Sequence, residues 1–514
     1  MSWFGLFPLS LLVCGLVLRA PASHSRHANL LQTLLGALAL AALVLAGARL
    51  SASIELAASP LQHTLLILVL TLGFILARFS RNYLQGETNA PQFSQWFALT
   101  LAAVTTVILS DNIFVLWIGW VAISLSFHQL LLFYPNRPRA QLAAHKKFLF
   151  ARLSEVLLLA ALLMLWSQHD ATSIRQIMAH YTQLPADQAL TLSEHLIALL
   201  LVLTALIKCA QMPLHGWLIQ VVEAPTPVSA LLHAGIVNLG GFLVMTFGSL
   251  ILASYPARWL LLLVAGITLM LASLVMLTRV SIKVKLAWST AAQMGLMLVE
   301  CALGLFQLAL LHLILHSLYK AYAFLNSGNQ VQGAYLKALL PAAILPTQRI
   351  FTLCMALVLV LFFLSGWLHS QSAQAPLMLI ALGLIGLPLG SAANPAHVVW
   401  IRQLSVVIIA WAAYLGFSKL FAQLIAMPPY LVANAFGAMD SVFFVLLIAT
   451  YTLQSYLHRV RYSANARSLH QLLFAGLYLD EWSTRLTLKL WPIRLANNSR
   501  ANKSSTAYNW EKQL

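Results

Sequence analysis

Long apolar runs separated by short polar loops make up most of this 514-residue chain. Runs long enough to cross a bilayer fall near residues 2–18, 30–48, 60–77, 94–110, 112–133 and 148–166. Further runs fall near 192–222, 227–252, 258–278, 286–305 and 307–326, and the last near 350–369, 376–396, 403–424 and 432–455. At about 20 residues per crossing, the pattern predicts an all-α polytopic membrane bundle of about 13–15 transmembrane helices. The first run ends near Arg19 without a convincing small-residue cleavage site, so it reads as a retained helix and not a signal peptide. From about Tyr456 the pattern becomes basic and amphipathic. This divides the chain into a membrane unit, residues 1–455, and a tail, residues 456–514.

Composition narrows the class. The chain is 61% hydrophobic and 8% charged, more apolar surface than a soluble protein of this length can bury. A formal charge of +17 raises nucleic acid as a partner, but the basic residues sit in short loops and the tail. With alternate helix ends assigned to the cytoplasm, that side collects Arg19, Arg26, Arg78, Arg81, Arg137, Arg139, Lys146, Lys147, Arg279, Lys283, Lys285, Lys337, Arg349 and Arg402. The other side receives Arg49, Arg175 and Arg258. This asymmetry predicts a multi-pass protein of the cell inner membrane with its N-terminus outside and its C-terminus cytoplasmic. Cys14, Cys209, Cys301 and Cys354 stand singly in apolar runs, which supports neither disulfides nor an iron–sulfur centre. Nucleotide-binding and redox motifs are missing, so the chain is not expected to be an enzyme or to hold a cofactor.

Charges inside the apolar runs carry the functional information, because an ionisable group at the bilayer centre costs at least about 2.5 kcal/mol and persists where it faces a polar interior or an ion path. Lys208 precedes Pro213 by five residues, and proline breaks or kinks a helix there. Freed carbonyls at such a break line polar cavities. Lys208 is therefore expected to face a polar cavity beside Gln211; a lysine that snorkels to the interface is the plain alternative. Pro225 and Pro227 follow, with Thr226 placed to cap a helix that begins at Pro227. His233 lies about 9 Å further along that helix, where it serves either as a relay or as a packed core residue.

His312, His316 and Lys320 recur every four residues and line one stripe over about 12 Å. Three titratable groups on one face suggest a proton wire; zinc binding by the two histidines lacks a third ligand and the HExxH pattern, so no metal site is expected. Glu155, Glu223, Glu300 and Asp440 are the acids available as counter-charges. A salt bridge to Arg152 is the plain reading of Glu155, and snorkelling that of Lys419. In the tail, LLFAGLYLDEWSTRLTLKLWPIRL mixes Trp and Leu with Arg and Lys. Both an amphipathic helix on the anionic inner leaflet and a docking site for a cytosolic partner fit it.

At these residues the chain resembles the antiporter-like subunits of respiratory complex I and the Mrp-type cation antiporters. The resemblance lies in Lys208-x-Ala210-Gln211-x-Pro213-Leu214, in Trp217-Leu218, and in Ala224-Pro225-Thr226-Pro227-Val228-Ser229-Ala230-Leu231-x-His233-Ala234. Lys283, Leu286-Ala287, Ser289-Thr290 and Gln293-Met294-Gly295 look like a second motif, and His312, His316 and Lys320 match the central His–Lys helix. The resemblance implies an ion-translocating fold with two broken-helix regions. It implies that Lys208 is the lysine beside the break, His233 its neighbour on the next helix, and Lys320 the central-axis lysine.

The chain also departs from that pattern. Val121 follows Gly119-Trp120 where those subunits place a glutamate, and Ser281 stands where they have Asp. The long lateral helix is not expected. Glu155 or Glu223 must then supply the missing acid. HGWL from His215, EAPTPVSALLHAGIVN, FSRNYLQGE from Phe79 and YLDEW from Tyr478 resemble one subgroup, the DabB membrane subunits of DAB-type inorganic carbon accumulation systems.

That resemblance implies a cation-translocating subunit, for protons or sodium, paired with a cytosolic zinc-dependent subunit similar to β-type carbonic anhydrases (DabA type). The partner would perform CO2 hydration to bicarbonate. A complex I-like or Mrp-type antiporter subunit and a purely structural anchor are the rival expectations.

Overall fold

Side-chain caps start several helices where the sequence turns polar. Ser59 and Gln62 form a capping box ahead of Pro60, and Thr191 and Glu194 form another. Asn112 accepts the Phe114 and Val115 amides, and Ser173 accepts that of Gln176. Each cap satisfies amides that have no partner within the helix.

The computed structural model describes residues 3–19, 23–50, 58–185, 189–329, 438–459 and 464–492, with Ser405, Ile409 and Gly416 between them. The expected runs near 350–369, 376–396 and 403–424 lie outside the described residues, as do Cys354, Lys419, the second broken-helix region and the tail beyond residue 492. The described helices begin with α1 (Leu6–Val17), α2 (His24–Leu50), α3 (Pro60–Tyr83), α4 (Ala90–Leu109), α5 (Ile113–Leu131) and α6 (Pro138–His169). They continue with α7 (Ile174–Thr182), α8 (Leu192–Lys208), α9 (Gly216–Gln220), α10 (Thr226–Ala234), α11 (Leu239–Thr246) and α12 (Gly248–Ala253). Then come α13 (Tyr255–Leu277), α14 (Ile282–Ala302) and α15 (Phe306–Leu325), and finally α16 (Ala438–Arg459), α17 (Ala464–Phe474) and α18 (Glu481–Leu490).

Among the described residues, 8 helical segments are long and apolar enough to cross a membrane. With no strands in these residues, the architecture is the expected all-α bundle with discontinuous helices. α1 is shorter than its run predicts, at 12 residues. Sequential helices pair as neighbours in α2–α3, α4–α5 and α13–α14, while α8 packs on α6, α11 and α13. Their outer faces carry exposed Ile118, Val156 and Ile267, suited to lipid.

The segment Thr226–Thr246, made of α10, a 3-10 turn and α11, is buried along nearly its whole length and so lies at the centre of the described bundle. Close approach to α8 is possible because Gly240 has no side chain: a Cβ there would lie 2.5 Å from Cys209 Sγ and 2.7 Å from the Ala205 carbonyl oxygen. One expected cap differs. α10 begins at Thr226 after Pro225, with no side-chain cap. The Thr226 hydroxyl instead accepts from Lys283 Nζ at 2.9 Å and bonds Tyr83 Oη at 3.3 Å. A proline at N2 removes an amide that a cap would have served, which leaves the hydroxyl free for a tertiary contact.

Candidate functional site

α8 stops at Lys208, and the chain turns through Ala210 in the left-handed region at φ 52 before α9 resumes at Gly216. Pro213 has no amide to continue the ladder. Gln211 replaces part of what the break loses, because its Nε2 donates to the Cys209 carbonyl at 2.8 Å and to that of Ala291 at 3.4 Å. Thr268 Oγ1 accepts the Met212 amide at 3.0 Å. The break is thus held by α13 and α14 as well as by its own sequence.

Lys208 is buried, with Nζ 4.6 Å from the centre of the Trp120 ring on α5. Ion–quadrupole attraction of this kind steadies a cation that has little water. Its charge also interacts with those of Glu155 and Arg152 on α6, and Lys147 on α6 interacts with Lys208. Glu155 pairs with Arg152 at 2.7 Å and accepts from the Ser124 hydroxyl, and Trp117 Nε1 donates to its carbonyl at 2.9 Å. Lys147 Nζ donates to the Ser124 carbonyl at 2.9 Å. Lys147, Ser154, Lys208 and Trp217 share a cavity of about 20 Å³, enough for one water. With three basic groups around one carboxylate, a gain or loss of one proton changes the interactions of every member.

A second cluster runs along α15. Glu300 on α14 holds His312 Nδ1 through both carboxylate oxygens at 3.1 and 3.2 Å. The His312 and His316 rings are 6.1 Å apart, and Lys320 Nζ donates to the Leu286 carbonyl at 3.1 Å. The charges of His316 and Lys320 both interact with His233. The His233 ring stacks on Phe324 with centroids 4.5 Å apart, and neither of its nitrogens has a hydrogen-bond partner among the described residues. His316 Nε2 is likewise buried without a partner among the described residues. Buried polar atoms of this kind are uncommon in packed cores and are expected along hydrated paths. The structure therefore brings His233, Glu300, His312, His316 and Lys320 together.

The remaining residues fall elsewhere. Glu223 is part-exposed at the end of the bundle, 3.9 Å from Arg139. Of the two acids proposed for the missing α5 position, Glu155 is the one whose charge interacts with Lys208. Pro213 lies in the break, whereas Pro225 and Pro227 begin α10. Asp440 stands in the first turn of α16.

Sequence reasoning passed over Lys147, Ser124 and Trp120. By sequence Lys147 reads as topogenic charge, although it stands eight residues before Glu155 on one helical stripe. Ser124 is four residues after Trp120, which puts both on one face of α5.

Residues 110–366 match the family described as NADH:quinone oxidoreductase/Mrp antiporter, TM. The chain is 44% identical over 445 residues to the probable inorganic carbon transporter subunit DabB of Hydrogenovibrio crunogenus, covering 85% of this chain and 83% of that one. It belongs to the DabB family. To the probable DabB2 subunit of Halothiobacillus neapolitanus the identity is 36%, over 90% of this chain and 86% of that one. The fold is also that of a chain of the Mrp complex from a Dietzia species, with a TM-score of 0.58 at 20% identity, covering 86% of this chain and 53% of that one. As a DabB-family chain of the wider antiporter-like group, it is a membrane transport protein.

Proposed function

We propose that this chain is the cation-translocating membrane subunit of an inorganic carbon accumulation complex. The observation that carries the reading is the pair of buried charge clusters, one at Lys208 and Glu155 and one along Glu300, His312, His316 and Lys320. They lie within a chain closely similar to a probable inorganic carbon transporter subunit. Lysines and histidines suit protons, whereas carbonyls freed at the break suit sodium.

The membrane unit, residues 1–455, would carry the ion, and the tail would lie in the cytoplasm with a DabA-type, carbonic-anhydrase-like partner. CO2 hydration would belong to that partner. One charge crossing 100 mV releases about 2.3 kcal/mol, which can drive hydration one way if ion passage gates the partner's site.

The test is growth in air of a bacterial host lacking carbonic anhydrase, with subunit and partner co-expressed. Wild type is expected to rescue growth, and Lys208→Ala and Lys320→Ala each to abolish rescue at normal membrane levels. Repeating the rescue with a protonophore or without sodium identifies the ion. Full rescue by both variants would remove these lysines from the path. A wild type that moves cations in vesicles but never rescues would favour the antiporter-subunit reading, which the Mrp-like fold supports.

A further inference from the structure

The tail carries a carboxylate into the bundle. Asp480, just ahead of α18, accepts from Lys146 Nζ at 2.8 Å, and Thr484 Oγ1 accepts from the same nitrogen at 2.6 Å. Gln220 Nε2 at the end of α9 donates to Asp480 Oδ2 at 3.3 Å, and Ser483 donates to Oδ1. The carboxylate lies directly on the chain where α9 begins: a Cβ on Gly216 would sit 1.5 Å from Asp480 Oδ1.

Burial differs sharply across the pair. The Lys146 side chain is 0% exposed and that of Asp480 28% exposed, so the acid is where solvent meets the buried charge. Behind it, buried His215 interacts with the charges of Asp480, Lys146 and Arg279. Next to Lys146 in sequence, Lys147 interacts with Lys208 and Glu155.

We propose that Asp480 and Lys146 form the solvent-side charge pair of the Lys208 branch, so that the tail supplies a working member of the ion path. A cation or proton arriving from solvent meets Asp480 first. Asp480 lies on Gly216, and the next residue, Trp217, lines the cavity shared by Lys147 and Lys208; neutralising Asp480 leaves Lys146 without its counter-charge at the solvent end of that route. Such a pair would also link the tail to the state of the path. The proposal rests on the ion-translocating reading above but not on inorganic carbon as the purpose.

A simple structural clip is the alternative, and a neutral pair of the same shape separates the two. Removing one partner leaves a buried charge unpaired, whereas replacing both is often tolerated. The test uses the full chain in vesicles with Lys146→Gln/Asp480→Asn, and with Asp480→Asn alone. Protease protection of residues 464–492 reports docking, and dye-detected flux under an imposed potential reports transport. The double variant is expected to keep the tail protected while flux falls at least tenfold. The single Asp480→Asn variant is expected to lose both protection and flux. Wild-type flux in the double variant would overturn the proposal, and so would loss of protection in it, since the pair would then be a clip. Wild-type flux together with failed growth rescue would count against the carbon reading and leave the flux comparison decisive for Asp480.

Discussion

Glu155 shows how one residue can be both a salt-bridge partner and part of a route. Its bond to Arg152 is the local pair that its spacing predicts, yet Ser124 and the charge of Lys208 reach it from α5 and α8. Glu155→Gln keeps the side chain's size and its acceptor for Ser124 but removes the charge. Arg152 is 33% exposed and can turn to solvent, but buried Lys147 and Lys208 lose a nearby carboxylate, so the expected loss of stability is about 3 kcal/mol. Flux is expected to fall at least about tenfold, equivalent to ~1.4 kcal/mol in a barrier. Flux in vesicles and thermal unfolding in detergent check the two together. Wild-type flux would leave Glu155 as the partner of Arg152 alone. The spacing of Arg152 and Glu155 was legible in the sequence. The role of Ser124 was not, because a serine in an apolar helix usually bonds its own backbone.

At the scale of elements, the break after Lys208 is a packing arrangement as much as a proline effect. α11 approaches α8 closely at Gly240, and the same contact region holds Cys209, the residue after Lys208. Gly240→Val would drive a branched side chain into Cys209 Sγ and the Ala205 carbonyl. Overpacking of this kind typically costs about 1–3 kcal/mol. The melting temperature in detergent is expected to drop by several degrees, and flux to fall with it. Adding Cys209→Ala should recover part of the loss, because the backbone contact with Ala205 remains. A variant that melts like wild type would show that α8 and α11 separate without penalty. The proline announced a break, but the sequence could not say that Gln211 would be joined by Thr268 and Ala291 in holding it, since these two come from separate helices, α13 and α14.

For the whole molecule, the described tail is built into the bundle. α18 packs on α6, Trp491 stacks on His145 with centroids 4.1 Å apart, and Arg279 faces both Trp288 and Phe474. Phe474, Tyr478, Trp482 and Leu490 nevertheless remain exposed, which leaves an aromatic surface for lipid or a partner. Deleting residues 464–514 is expected to release the proposed cytosolic partner in a detergent pull-down, where lipid charge is absent. Deleting residues 493–514 is expected to retain it. Equal recovery in both would move docking to the loop bearing Arg137 and Arg139, because Lys146 and Lys147 are internal.

The sequence by itself determined the membrane class, the helix pattern, the break at Pro213 and the His312–His316–Lys320 stripe. Each follows from a local rule: apolar length, a missing amide, or a four-residue spacing. Tertiary structure alone decided which acid's charge reaches Lys208, that Glu300 holds His312, and that Asp480 returns to Lys146 across more than three hundred residues. Those partners lie on separate helices or in the tail. Their meeting depends on how the helices pack, and helical periodicity places a residue on a face without naming what that face will touch.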